Sequence, residues 1–91
     1  GLVKNEYYLI SNIEGHESHI TCIIKLNNDV ICSCSTDQFI KIWNIENGEF
    51  KEVNSFKSHE NNVICLNKIQ DDMFCSGSDD NKIKIWKLSK K

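Results

Sequence analysis

The chain has no arginine, no alanine and no proline. All 11 of its cationic side chains are lysines, so it has no guanidinium fork to grip a carboxylate or phosphate through two parallel hydrogen bonds. It has no excess of either charge: 11 Lys stand against 13 Asp and Glu, for a net charge of −2. This balance argues against a reader of nucleic acid or of a membrane surface, which would carry a basic patch. Long apolar runs are missing too. None is longer than Tyr7-Tyr8-Leu9-Ile10, which is far too short to cross a bilayer. The first residues lack the charged, apolar, small-residue order of a secretory leader, and an intracellular location, cytoplasmic or nuclear, is expected. The five cysteines are an odd number, and no disulfide framework is expected. Cys22, Cys32, Cys34, Cys65 and Cys75 are read as small buried hydrophobes.

What the chain does have is a repeat. Ser33-Cys34-Ser35-Thr36-Asp37-Gln38-Phe39-Ile40-Lys41-Ile42-Trp43 has the layout of Ser76-Gly77-Ser78-Asp79-Asp80-Asn81-Lys82-Ile83-Lys84-Ile85-Trp86, and the two tryptophans stand 43 residues apart. The halves align at that offset without a gap. His16 matches His59, Glu17 Glu60, Cys22 Cys65, Asp29 Asp72, Ser33 Ser76, Asp37 Asp80 and Trp43 Trp86. Ninety-one residues suffice for one small domain, here split into repeats of about 6–48 and 49–91.

Within each repeat the apolar runs are five to eight residues long, rich in Ile and Val, and divided by Asn/Asp/Gly turns. That pattern predicts an all-β protein, and a helical reading fails for most of the chain. Strands are expected near 6–13, 19–26, 29–35, 39–45, 49–56, 62–69, 72–78 and 82–88. The run 19–26 is nearly apolar on both faces and reads as a strand buried between neighbours. Asn47-Gly48 is a tight hairpin signal.

This organisation resembles the WD-repeat (WD40) β-propeller family, whose period is 40–45 residues with Gly-His early and Trp-Asp late. Here Gly15-His16 and Trp43-Asn44 occupy those places in the first repeat, and Ser58-His59 and Trp86-Lys87 in the second. His and Trp are 27 residues apart in both. Neither Trp is followed by Asp, and Ser58 replaces the second Gly. The resemblance covers nearly the whole chain and implies propeller blades of four antiparallel strands, with an incomplete ring when the chain is taken alone.

The resemblance also implies a relay of Trp, Ser, His and Asp in each blade, placed on Trp43, Ser33, His16 and Asp37, and on Trp86, Ser76, His59 and Asp80. Ser35 and Ser78 are the alternative hydroxyls. A turn centred near Asp37-Gln38 would set Ser33 opposite Trp43, where the hydroxyl could accept the indole N–H. The trio His16, Asp37 and Ser33 invites comparison with a hydrolase. Its recurrence as His59, Asp80 and Ser76 favours a structural role, because an active site does not usually come in identical structural copies. Cys32-Ser33-Cys34 lacks metal-site spacing and its second thiol becomes Gly77 in the other repeat. The aspartates lie where turns favour Asp. No catalytic residue, cofactor or metal ligand is therefore assigned.

The family's partner-binding positions fall on Glu17, His19 and Thr36, and on Glu60, Asn62 and Asp79. They are polar to acidic and suit a basic or hydrogen-bonding peptide rather than a phosphopeptide. The expected function is a non-enzymatic scaffold that binds a protein or peptide and assembles a complex. The alternative is a substrate-recruiting subunit of a ubiquitin ligase, which an appended F-box or similar adaptor motif would mark. Two blades cannot close a propeller, so further blades are expected from a longer chain or from other copies.

Overall fold

A computed structural model describes residues 4–89, and among these every regular element is a strand. They are β1 (Ile20–Asn27), β2 (Val30–Ser35), β3 (Phe39–Glu46), β4 (Glu49–Lys57), β5 (Val63–Gln70), β6 (Met73–Ser78) and β7 (Ile83–Lys87). Consecutive strands pair antiparallel into a four-stranded sheet β1-β2-β3-β4 and a three-stranded sheet β5-β6-β7. The fold is all-β, built of propeller-type blades with no closed ring. The sequence-derived limits of these seven strands differ from the observed ones by no more than one residue at either end.

The turns follow from their residues. Asn47 and Gly48 both have positive φ, 53° and 75°, as a two-residue hairpin between right-twisted strands requires. Gln38 and Asn81, at equivalent places before β3 and β7, have φ of 77° and 70°. Just before each, an Asp carboxylate accepts the N–H of the first residue beyond the turn: Phe39 N to Asp37 Oδ1 at 2.9 Å and Lys82 N to Asp80 Oδ1 at 2.9 Å. An Asp side chain that closes a turn in this way stabilises it locally.

The core lies between the two sheets. Leu26, Cys32, Cys34, Ile40 and Ile42 from the first meet Val63, Leu66 and Phe74 from the second, all buried. Alternation puts Cys32 with Cys34 and Ile40 with Ile42 on one face, and a register shift between Val63 and Cys65 brings Val63 to the face of Leu66 and Phe74. Phe56 of β4 packs on Trp86 of β7 with ring centroids 4.9 Å apart and planes tilted by 54°. Polar bonds fix the sheets against each other. The Thr21 hydroxyl donates to the Val63 carbonyl at 2.6 Å, and Asn27 Nδ2 donates to the Asp71 carbonyl at 2.9 Å. Ser58, the residue in the place of the second Gly, donates its hydroxyl to the Gln38 carbonyl at 3.1 Å. It accepts Lys84 Nζ on its own carbonyl at 2.6 Å.

Four expectations are corrected. The segment 6–13 is not a strand: it makes no pairing, and Tyr7, Tyr8, Leu9 and Ile10 are exposed. Its composition favours a strand, but a lone strand has no neighbour to take its N–H and C=O groups. The strand β1 is covered on one face only. Leu26 is buried there and Cys22 and Ile24 half-buried, whereas Ile20 and Ile23 are exposed on the other. The cysteines are not all buried. Cys32 and Cys34 are, Cys22 and Cys75 are half-buried, and Cys65 is exposed, because nothing packs on the face of β5 that carries it. Finally, Ser33 does not stand opposite Trp43. It pairs with Lys41, and Trp43 pairs with Ile31, two residues along.

Candidate partner-binding rim

That register sets up the relay diagonally. Opposite residues share a face, and a long side chain reaches the residue two positions along the neighbouring strand. Trp43 on β3 therefore leans toward Ser33 on β2, and its indole N–H donates to Ser33 Oγ at 2.9 Å. Ser33 Oγ lies 2.7 Å from His16 Nε2, and His16 Nδ1 lies 2.9 Å from Asp37 Oδ2. Donor counting assigns the protons: the indole gives to the hydroxyl, the hydroxyl to Nε2, and Nδ1–H to the carboxylate. The second repeat has the same chain. Trp86 Nε1 to Ser76 Oγ is 2.9 Å, Ser76 Oγ to His59 Nε2 is 2.7 Å, and His59 Nδ1 to Asp80 Oδ2 is 2.8 Å.

All eight positions chosen for the relays are thus brought together, four in each repeat. Ser35 and Ser78 serve elsewhere, accepting the Asp37 and Asp80 N–H at 3.0 and 3.1 Å. Two supports went unread in the sequence. Gly15 lies so close over Trp43 that a Cβ there would sit 3.3 Å from the indole Cζ2. The Glu17 and Glu60 N–H groups bond Asp37 and Asp80 at 3.1 and 3.2 Å. The Gly-His pair carried the first signal; backbone donors leave none in a sequence.

The chemistry of this arrangement is that of a clamp. In both repeats the serine hydroxyl is buried and takes the indole N–H on one side while giving its proton on the other. Burial pushes the Cys32 thiol up to about 12 and, against the Thr21 hydroxyl, Cys34 up to about 11, so neither is a thiolate nucleophile. Among the described residues no three His, Cys, Asp or Glu side chains converge on a metal position.

The aspartates have a pH signature. Burial raises their pKa, but hydrogen bonds from backbone N–H groups and from the histidine outweigh it. Asp37 is held below the usual 3.8 and Asp80 is lowered to about 2. A depressed folded-state pKa adds stability that is complete above the unfolded value and fades as pH falls through the folded one. The urea midpoint is therefore expected to fall between about pH 4 and pH 2, and to fall less steeply in an Asp37→Asn/Asp80→Asn variant. The variant isolates the clamps from Asp71, an exposed carboxylate lowered by Lys68. Equal slopes in the two proteins would remove the clamps from the acid transition.

Each clamp gathers the rim residues at one end of its sheet. Thr36 N donates to the His19 carbonyl at 3.0 Å, and Asp79 N to the Asn62 carbonyl at 3.1 Å. Glu17, His19, Glu60 and Asp79 are exposed, and Thr36 and Asn62 half-exposed. Thr36 is further fixed by its hydroxyl, which donates to Ser18 Oγ at 2.7 Å.

Comparison with known proteins fits this geometry. The family described as "WD domain, G-beta repeat" matches residues 7–44 and 50–87. The chain belongs to the WD40 family. WD40 repeats are a general protein-interaction module and generally non-catalytic. The chain is 44% identical over 46 residues to the probable E3 ubiquitin ligase complex SCF subunit scon-2 of Neurospora crassa, covering 50% of this chain and 7% of that protein. It is 47% identical over 47 residues to the nuclear distribution protein PAC1 of Saccharomyces cerevisiae, covering 47% and 9%. This WD40 chain thus spans less than a tenth of these relatives. Among solved structures it superposes on the computationally designed Ika4 protein with a TM-score of 0.73 and 27% identity, covering 90% of this chain and 49% of that one. For the designed Ika8 protein the TM-score is 0.69 and the identity 29%, covering 84% and 23%.

Proposed function

We propose that the chain is a non-enzymatic scaffold that binds a basic or hydrogen-bonding peptide segment of an intracellular protein partner across the rims of its two blades. The observation that carries this reading is the pair of clamped rims. Each presents a glutamate whose backbone is tied to a largely buried His–Asp pair, Glu17 beside Asp37 and Glu60 beside Asp80. A surface held in place before binding loses little conformational entropy when a peptide docks. Its acidic side chains would attract lysine-bearing segments and repel phosphate.

The test is fluorescence anisotropy with labelled lysine-rich peptides and glutamate-substituted controls. The lysine peptides are expected to bind, more weakly as salt rises. A Glu17→Lys/Glu60→Lys/Asp79→Lys variant is expected to lose at least about tenfold in affinity, about 1.4 kcal/mol. Binding that is indifferent to these charges would move the partner surface elsewhere. A second reading, a substrate-recruiting subunit of a ubiquitin ligase, draws support from the likeness to the SCF subunit scon-2. It uses the same rim, with the peptide as the segment recruited.

A further inference from the structure

The two repeats differ in their thiols. Cys22 has Cys65 as its counterpart, but the counterpart of Cys34 is Gly77. Among the described residues, Cys22 and Cys34 are the one pair of cysteines set opposite each other on neighbouring strands. Cys32, two residues from Cys34, stands opposite Ile24. Directly opposed residues of antiparallel strands have Cα atoms about 4.5–5.5 Å apart, inside the range of about 4.4–6.8 Å that a disulfide spans.

Both thiols point to the same side of their sheet. The ladder shifts register between Ile20 and Cys22, so that Thr21 and Cys22 together oppose Cys34. Cys22 Sγ donates to the Leu66 carbonyl at 3.6 Å. Cys34 Sγ, buried in the core, lies 3.2 Å from Thr21 Oγ1, whose own proton goes to the Val63 carbonyl. All three side chains therefore face the second sheet. The second repeat shows how closely two sulfurs could meet in this register. Its ladder has the same shift, between Val63 and Cys65, and the same pairing, Cys65 with Gly77. A Cβ added at Gly77 would lie 3.1 Å from Cys65 Sγ. The matching Cβ-to-Sγ distance across a disulfide is about 3 Å. The register thus carries a thiol at the first position over the Cβ of the second, and only the first repeat has a cysteine at both.

We infer that Cys22 and Cys34 are a peroxide-responsive dithiol that closes into a cross-strand disulfide joining β1 to β2. Hydrogen peroxide is the oxidant. Half-buried Cys22 meets it first. Its thiolate takes one oxygen, the O–O bond breaks, and the hydroxide released takes up the proton the thiol gave away, leaving a sulfenic acid. Burial pushes the Cys34 thiol up to about 11, which keeps it from reacting with peroxide by itself. Held against Cys22, its sulfur attacks the sulfenic sulfur: the S–S bond forms, the S–O bond breaks, and the Cys34 proton leaves with the hydroxide as water. Two thiols and one peroxide become one disulfide and two waters. The new bond replaces a contact between the sheets, Cys22 to Leu66, with a link inside the first sheet. It lies directly behind the rim, since Cys34 stands between Ser33 of the clamp and Ser35. Exchange with a cellular thiol restores the dithiol. The inference is independent of the peptide reading of the rim.

The test is peroxide treatment of the folded 91-residue chain at low concentration, followed by alkylation and non-reducing peptide mapping. Trypsin cuts after Lys25 and Lys41, so the expected bond joins the Cys22 peptide to the peptide holding Cys32 and Cys34, with the loss of two hydrogen atoms. Fragmentation is expected to place the bond on Cys34 at least about tenfold over Cys32. Cys34→Ala is expected to abolish the link and to leave Cys22 as a sulfenic acid that dimedone traps. The second repeat folds with no side chain at this position, so the variant keeps its sheets. Gly77→Cys is expected to add a second link, from Cys65 to the introduced thiol. Oxidation of exposed Cys65 reports that peroxide has reached the protein. Wild type in which Cys65 is oxidised while Cys22 and Cys34 remain unlinked would overturn the inference. So would a bond to Cys32 as frequent as the one to Cys34, or a folded Gly77→Cys chain without the second link.

Discussion

Phe74→Ala is expected to lower the unfolding free energy by about 3–5 kcal/mol, the range for emptying a fully buried aromatic site. Phe74 is 1% exposed and belongs to the cluster between the two sheets. It stands on β6 opposite Trp86, with sheet on both sides, so the cavity cannot close by moving a loop. A domain of this length has about 5–14 kcal/mol of stability in all, and the loss would be a large share of it. The measurement is urea unfolding followed by tryptophan fluorescence, at one fixed chain concentration. Val53→Ala on exposed β4 is the control and is expected to stay within about 0.5 kcal/mol of wild type. A loss at Phe74 no larger than the control's would mean that the two sheets do not pack on each other in solution.

His16→Ala is the second large effect, expected at about 2–4 kcal/mol because it leaves a buried hydroxyl and a largely buried carboxylate without their partner. The imidazole is fully buried and bonded at both nitrogens. Without it, buried Ser33 loses the acceptor for its proton, and Asp37, 10% exposed, loses its side-chain donor. A double-mutant cycle with Asp37→Ala separates the pair from the rest. A coupling energy of about 1–3 kcal/mol is expected for side chains in one network. Additive losses would make His16 a packing residue and Asp37 only a turn former. The same cycle bears on the hydrolase reading of this trio. A clamp predicts lost stability, whereas a catalytic site predicts a folded variant that has lost turnover.

Much of this molecule is legible in the sequence because its information is local or periodic. Strand lengths, the Asn-Gly hairpin and the Asp-closed turns depend on a few neighbouring residues. The offset of 43 doubles every observation, so that His16, Ser33, Asp37 and Trp43 are each supported by a counterpart in the second repeat. The relay membership could be read in this way although its register could not. A shift of two residues across β2 and β3 leaves the side-chain face unchanged, so alternation alone does not distinguish Ser33 facing Trp43 from Ser33 facing Lys41.

The sequence by itself determined the all-β character, the two repeats and the members of the clamps, because these follow from periodicity and from residue types at fixed spacing. Only the tertiary structure decided which apolar faces are covered. Cys22 and Cys65, Ile40 and Ile83, and Ile42 and Ile85 are identical pairs in sequence, yet the first of each is the more buried and the second is exposed. The same holds for residues 6–13 and β4, matched by the repeat, of which one is unpaired and the other a strand. Burial and strand pairing belong to the neighbour as much as to the residue. Among the described residues the first sheet has a neighbour on the Ile40 side, and the equivalent side of the second sheet has none.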